Sequence, residues 1–303
     1  MSILVTGALG HIGSYIIKDL VKLKNIKNIY LLDKLANDKH NVFFDIKNRK
    51  FKFIYGDLVD RALIKKIPKV KIVIHLASIT NAEKSFENKK ELYRNNLGCF
   101  NNIISYCAKN NSKLIHVSST SIYGPQKNLV DESQKNLYPR SPYAKVKLTE
   151  EKFLKKNKKI KFITLRFGTI SGFSSGMRFH TAVNKFCLNS VLKTEIPVWG
   201  KSVNLYRPYL SLKDASKTFK FIINKNFFPR EVFNILSENK TVNQILNSIK
   251  KNNFKPKIQF VKSRILNQDS YKISKHKIEK LGLKLNSKIS EDIRITLKKL
   301  KVT

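Results

Sequence analysis

Six short apolar runs punctuate the first half of this 303-residue chain, and they constrain its fold more than any other feature. They lie at 3–6, 28–32, 51–55, 71–76, 113–117 and 161–166, and longer segments with helical spacing separate several of them. Near-continuous apolar strands alternating with helices imply a parallel sheet covered on both faces. Right-handed crossovers then wind that sheet in two directions from its centre.

The fold class expected is therefore α/β, a doubly wound parallel sheet of Rossmann type. The alternation loosens after Arg166. A Gly/Ser stretch, GTISGFSSGM, leads into a helical run at about 178–192, then a strand-like IPVWG. A helix at 214–223 and a strand at 232–235 follow. Thr241 with Gln244 forms a capping box for a helix to about 251, and 289–300 reads as a last amphipathic helix. We expect a dinucleotide-binding domain over 1–166. A smaller mixed substrate-binding region over 167–303 should follow, with about 204–236 packed back onto the first.

Between the first strand and the first helix stand Gly7, Gly10 and Gly13, in TGALGHIG. A strand, a glycine-rich turn and a helix N-terminus make a phosphate cradle: free N–H groups and the positive dipole end face the anion, and glycine lets it come close. Asp33 ends the second strand, twenty residues after Gly13. That is where a carboxylate accepts hydrogen bonds from an adenosine ribose and repels a 2′-phosphate. The expected cofactor is NAD rather than NADP, although Lys34 follows at once. A second constellation joins the first. SPYAKVK places Tyr143 and Lys147 on one helix face, and HVSSTSIYG leaves Ser118 and Ser119 at a strand's C-terminal edge. A tyrosine is a poor base at neutral pH, with a pKa of about 10. A lysine cation one turn away and a positively charged nicotinamide both favour its phenolate.

These motifs resemble the extended short-chain dehydrogenase/reductase family, specifically its NAD-dependent nucleotide-sugar epimerases and dehydratases, the group that includes UDP-glucose 4-epimerase. The resemblance covers nearly the whole chain. It implies that Gly7, Gly10, His11, Ile12 and Gly13 form the cofactor turn. GDL supplies Asp57 and Leu58 to the adenine pocket, and HLAS places Leu76, Ala77 and Thr80 by the cofactor. Asn95 comes from RNNLG, and VSSTSIYG and YAKVK supply Ser119, Tyr143 and Lys147 as catalytic residues. RPYLSLKD implies that Arg207 holds a nucleotide diphosphate. Thr169 stands where relatives often carry Asn, and no Pro follows Gly172. Arg178 and His180 are candidates for sugar or phosphate contacts, or for surface positions on the 178–192 helix. His75 and His116 read as structural residues of buried strands.

Similar dehydratases carry acids just after the catalytic Ser or Thr; here Thr120 and Ser121 stand there. The reading favours a nucleotide-sugar 4-epimerase working by transient C4 oxidation. Its alternatives are an NAD(P)-dependent keto-sugar reductase or sugar-nucleotide dehydrogenase, then a 4,6-dehydratase. The resemblance also implies a homodimer through the helix at about 89–109 and the helix carrying Tyr143, and a place in cell-surface polysaccharide synthesis.

The net charge of +39 comes mostly from lysines spread along the whole chain, alongside much Asn, Ile, Phe and Tyr. That spread suits an AT-rich coding bias better than a nucleic-acid stripe. Three cysteines, without CxxC or zinc spacing, read as free thiols, so no metal is expected. No apolar run reaches the ~18–20 residues of a membrane span. The first residues read as a strand rather than a basic leader. A cytoplasmic chain without nucleic-acid or membrane partners is expected.

Overall fold

The computed structural model of the chain describes residues 1–35, 39–82, 84–200, 203–261 and 271–301. In order, the chain runs through β1 (Ser2–Thr6), α1 (His11–Leu20), β2 (Asn28–Asp33), α2 (Val42–Asp45), β3 (Phe51–Tyr55), α3 (Arg61–Lys66), β4 (Ile72–His75), α4 (Lys89–Asn110) and β5 (Lys113–Ser119). Next come β6 (Leu129–Val130), α5 (Pro142–Lys156), β7 (Phe162–Phe167), β8 (Thr169–Ser171), α6 (Ala182–Val191), β9 (Glu195–Trp199) and β10 (Tyr206–Ser211). The last part adds α7 (Leu212–Lys225), β11 (Val232–Ile235), β12 (Glu238–Thr241), α8 (Val242–Lys250), β13 (Lys257–Val261), β14 (Lys272–Ile273), α9 (His276–Glu279) and α10 (Ile289–Leu300).

Seven parallel strands form the main sheet in the order β11-β7-β5-β4-β1-β2-β3. Their side chains alternate between two layers. Ile3 and Val5 face a layer shared with Ile16 and Ile17 of α1 and Phe219 and Ile222 of α7. Leu4, between them, faces the other layer with Phe100 and Ile103 of α4 and Leu154 of α5. Burying each such side chain contributes about 1.5–3 kcal/mol. That is why these runs are apolar on both faces. From β1 the chain winds outward to β2 and β3, then returns to β4 on the other flank of β1. This reversal opens a crevice at the carboxyl ends of β1 and β4, which positions the site.

A second assembly stands over that crevice. It holds a three-stranded sheet, β12-β10-β8, with β10 parallel to β8 and antiparallel to β12. Val183 and Cys187 of α6, Ile245 and Ile249 of α8 and Ile293 and Leu297 of α10 close a separate core around Ile196 and Tyr209.

All six expected strands form, with ends within two residues of expectation, and β5 extends to Ser119. The Thr241–Gln244 capping box is present. One expectation is corrected: the helix expected from 178 begins at Ala182. The residues before it are held elsewhere. Ser174 donates to the carbonyl of His11, and the Gly176 N–H donates to Ser14 Oγ. Residues 172–178 therefore form a strap across the N-terminus of α1, and Arg178 and His180 precede the helix. Among the described residues, no helix is long and apolar enough to cross a membrane.

Candidate active site

The strap, the strand ends and β10 enclose a cleft of about 1390 Å³. Every residue singled out above for cofactor or substrate lines it, from Gly7 on β1's turn to Arg207 on β10.

The glycine turn is tight. Gly7 has φ +65°, and a Cβ there would lie 2.8 Å from the Ala77 nitrogen. At Gly13 a Cβ would lie 2.4 Å from the carbonyl oxygen of Ala8. Gly10 caps α1 without a side chain, so the first N–H groups of the helix lack a side-chain acceptor. Asp33 is not a solvated strand-end acid: it is 5% exposed. One oxygen accepts from the Leu9 N–H at 2.9 Å and the other from the Leu35 N–H at 3.0 Å. It therefore also holds the glycine turn in place.

At the adenine end, Lys34 Nζ contacts Asp57 at 3.0 Å and Asn95 Oδ1 at 3.1 Å. Burial pushes the Asp57 carboxyl up, but the Val59 N–H and the Lys34 ammonium outweigh it and hold the group below its usual range. The backbone N–H groups of Leu76 and Ala77 donate to Thr6 Oγ1, which lies 2.8 Å from His75 Nδ1. Burial and the Lys147 charge drive His75 down to about 3. Its ring is therefore neutral.

At the reacting end, the Ser141 hydroxyl accepts from the Ala144 N–H and caps α5, with Pro142 in its first turn. Tyr143 and Lys147 then share one face, with Lys147 Nζ 6.0 Å from the Tyr143 ring centroid. Ser119 ends β5, and its Oγ lies 2.9 Å from Ser121 Oγ. Burial raises the Tyr143 hydroxyl above its ordinary value, against the pull of Lys147, Arg178 and Ser119. Lys147 favours the phenolate as expected, and in the chain alone desolvation exceeds its effect.

The sequence reading missed Glu150 beneath Lys147 and took its partner His116 as structural only. Glu150 accepts from Lys147 Nζ at 2.9 Å and faces His116 Nε2 at 2.9 Å. The EE pair one helical turn after Lys147 was the available signal. On the opposite wall, Thr169 pairs in register with Tyr209. The Arg207 guanidinium lies 5.2 Å from the Tyr271 ring centroid. Arg178 Nη1 donates to Thr80 Oγ1, and burial lowers the guanidinium's pKa. Burial and Arg178 bring His180 down to about 4.

These residues fit a dinucleotide. The glycine turn admits no side chain, and α1 offers its dipole end to the cleft. Three cleft-lining side chains carry buried polar atoms without a hydrogen-bond partner: His11 Nδ1, Arg178 Nε and Thr181 Oγ1. Such atoms are costly unless a ligand satisfies them. Among the described residues, no group of three His, Cys, Asp or Glu side chains is arranged to hold a metal.

A model of the NAD dependent epimerase/dehydratase family matches residues 3–235. The chain belongs to this family. Over 98% of its length the chain is 26% identical to a trifunctional UDP-glucose 4,6-dehydratase/UDP-4-keto-6-deoxy-D-glucose 3,5-epimerase/UDP-4-keto-L-rhamnose-reductase of Arabidopsis thaliana, covering 46% of that protein. A UDP-glucose 4-epimerase of Yersinia enterocolitica is 34% identical over 51% of this chain and 48% of its own. The chain thus spans about half the length of these curated relatives. Its fold is similar to that of UDP-glucuronic acid 4-epimerase from Bacillus cereus, solved with UDP-glucuronic acid and NAD. The TM-score is 0.90, with 24% identity and 99% of both chains covered.

Proposed function

We propose that the chain is a nucleotide-sugar 4-epimerase. The observation that carries this reading is a composition at one place. Ser119, Tyr143 and Lys147 meet at the strand ends, and Thr120 and Ser121 line the cleft where a dehydratase needs acids. A dehydratase must also move a proton at C5 and protonate a departing C6 hydroxyl; this wall offers hydroxyls only.

Bound NAD supplies a hydride acceptor and, later, its donor. Tyr143 takes the proton from the sugar's C4 hydroxyl as the C4 hydride leaves. Ser119 hydrogen-bonds the same oxygen and keeps it in line with Tyr143. Lys147 opposes the negative charge that gathers on the tyrosine. The flat 4-keto sugar turns over, the hydride returns to its other face, and Tyr143 gives the proton back. No proton or electron is consumed. Asp33 receives the adenosine ribose, Asp57, Leu58 and Asn95 border the adenine, and Leu76, Ala77 and Thr80 flank the dinucleotide. Arg207 and Arg178 meet the substrate diphosphate as charge-assisted donors. We further assign α4 and α5, which pack side by side, to a homodimer interface.

The test is NMR of UDP-, dTDP-, GDP- and CDP-sugars incubated with the protein and trace NAD, with Tyr143→Phe as control. A C4 epimer formed without net NADH, and absent with the variant, is the expected result. Product that appears only with stoichiometric cofactor would instead make the chain a reductase or dehydrogenase.

A further inference from the structure

Helix α5 carries two adjacent carboxylates with different duties. Glu151 pairs with Arg166 of β7 at 2.7 Å, and Arg166 also donates to the Tyr123 hydroxyl. That network ties α5 to the sheet. Glu150 turns toward the site. One of its oxygens serves both Lys147 Nζ and His116 Nε2, each at 2.9 Å, and all three side chains are at most 4% exposed. The carboxylate accepts, so His116 donates from Nε2; its Nδ1 lies 3.3 Å from the Thr164 hydroxyl.

Three buried polar or ionic groups in a row are costly to desolvate, and apolar side chains of like volume would hold α5 on the sheet as well. The charges call for a duty of their own. Lys147 faces Tyr143 and Glu150 on its own helix and Cys99 on α4, and its charge acts on His75 of β4. Burial raises the Cys99 thiol to about 12 and, with the Lys147 charge, lowers His75 to about 3, so both are neutral. Arg178 adds a cation beside Tyr143 from the strap. In this set Glu150 supplies the anion, and Lys147 and His116 hold it well below its ordinary range, at about 2, against its burial.

We propose that Glu150, anchored by His116, is a positioning residue for the proton transfer: it keeps Lys147 an ammonium at a fixed place beside Tyr143. This deepens the proposed function and rests on it for the role of Tyr143. The Lys147–Tyr143 pair then loses its first proton from the tyrosine. The Tyr143 O–H bond breaks, its proton passes to solvent, and the Lys147 N–H bonds stay intact. Without Glu150 the buried ammonium has no counterion, and Lys147 gives up its proton first. Tyr143 then faces a neutral amine and loses the cation that favours its phenolate.

The experiment is an NMR titration of the full chain, with and without NAD, using ¹³C at lysine Cε and tyrosine Cζ. Lys147→Met and Tyr143→Phe assign the two signals. Glu150→Gln should lower the Lys147 midpoint by about one pH unit or more. His116→Phe should lower it less, and His116→Gln, which keeps a donor, should restore most of the loss. In turnover, the alkaline limb of the pH–rate profile should move to lower pH with Glu150→Gln. An unshifted Lys147 midpoint in folded Glu150→Gln overturns the proposal. Should that variant not fold, an unshifted midpoint in His116→Phe overturns it equally. The titration needs no sugar, so a parent enzyme that epimerises nothing would fail the functional reading and leave this result intact.

Discussion

The two walls of the cleft are built differently. The cofactor wall is made of strand ends in one parallel sheet: Gly7 after β1, Asp33 ending β2, His75 ending β4 and Ser119 ending β5. Backbone hydrogen bonds and a shared register fix these residues relative to one another. The substrate wall is made of a strap, a short strand and the edge of a small sheet, carrying Arg178, Thr169 and Arg207. The buried Nε of Arg178 on this wall has no hydrogen-bond partner. A rigid wall suits one invariant ligand. A wall of loops and unsatisfied donors suits the part of a ligand that differs between relatives.

Mutations test that division, beginning with the chemistry the walls share. Tyr143→Phe removes the proton acceptor and should cut turnover by about 10²–10⁴-fold, with NAD affinity by calorimetry little changed. A variant as active as its parent would remove Tyr143 from the reaction. On the cofactor wall, Gly13→Ala drives a Cβ into the Ala8 carbonyl. Strain of about 1–3 kcal/mol, relieved only by distorting the turn, corresponds to roughly 5- to 150-fold weaker NAD binding. Undiminished binding would show that the turn is not the cradle. On the substrate wall, Arg178→Gln should raise the sugar-nucleotide KM by about 10-fold, the worth of one charge-assisted hydrogen bond. NAD affinity should change less. Equal losses for both ligands would mean that the strap belongs to the cofactor wall as well.

The smallest effect concerns what carries the substrate wall. Asp292 of α10 accepts from Ser171 Oγ at 2.5 Å and Ser211 Oγ at 2.9 Å, joining α10 to β8 and β10. Burial raises its carboxyl from 3.8 to about 7. Between those values the folded chain keeps a proton that the unfolded chain has released. Stability therefore falls as pH rises through this window and levels off above it. Asp292→Asn should abolish that slope and gain on the order of 1–3 kcal/mol at roughly pH 8. Urea midpoints across the window measure it, and parallel curves for parent and variant would refute it.

The same division governs what could be read in advance. The strands of the main sheet are legible because burial on two faces demands unbroken apolar runs such as ILVT and KIVIHL. The glycines are legible because backbone geometry forbids a Cβ at Gly7 and Gly13. Tyr143 and Lys147 are legible because helical spacing alone puts them on one face. The end of the strap, from Arg178, was read as the start of α6, since RFHTAV carries no local signal against a helix. Its conformation is set by Ser174, Gly176 and the α1 terminus, about 160 residues apart in sequence.

Local pattern thus determined the sheet, the phosphate turn and the tyrosine–lysine pair, because each follows from short-range geometry and apolar periodicity. Long-range packing determined the rest. It set Asp33 to hold the glycine turn. It brought Arg178 across to Thr80, and it slid Glu150 and His116 together under Lys147. Those pairings depend on which faces of distant elements come to rest against each other. The charge of a buried group depends on all of its neighbours at once, and no stretch of sequence contains them.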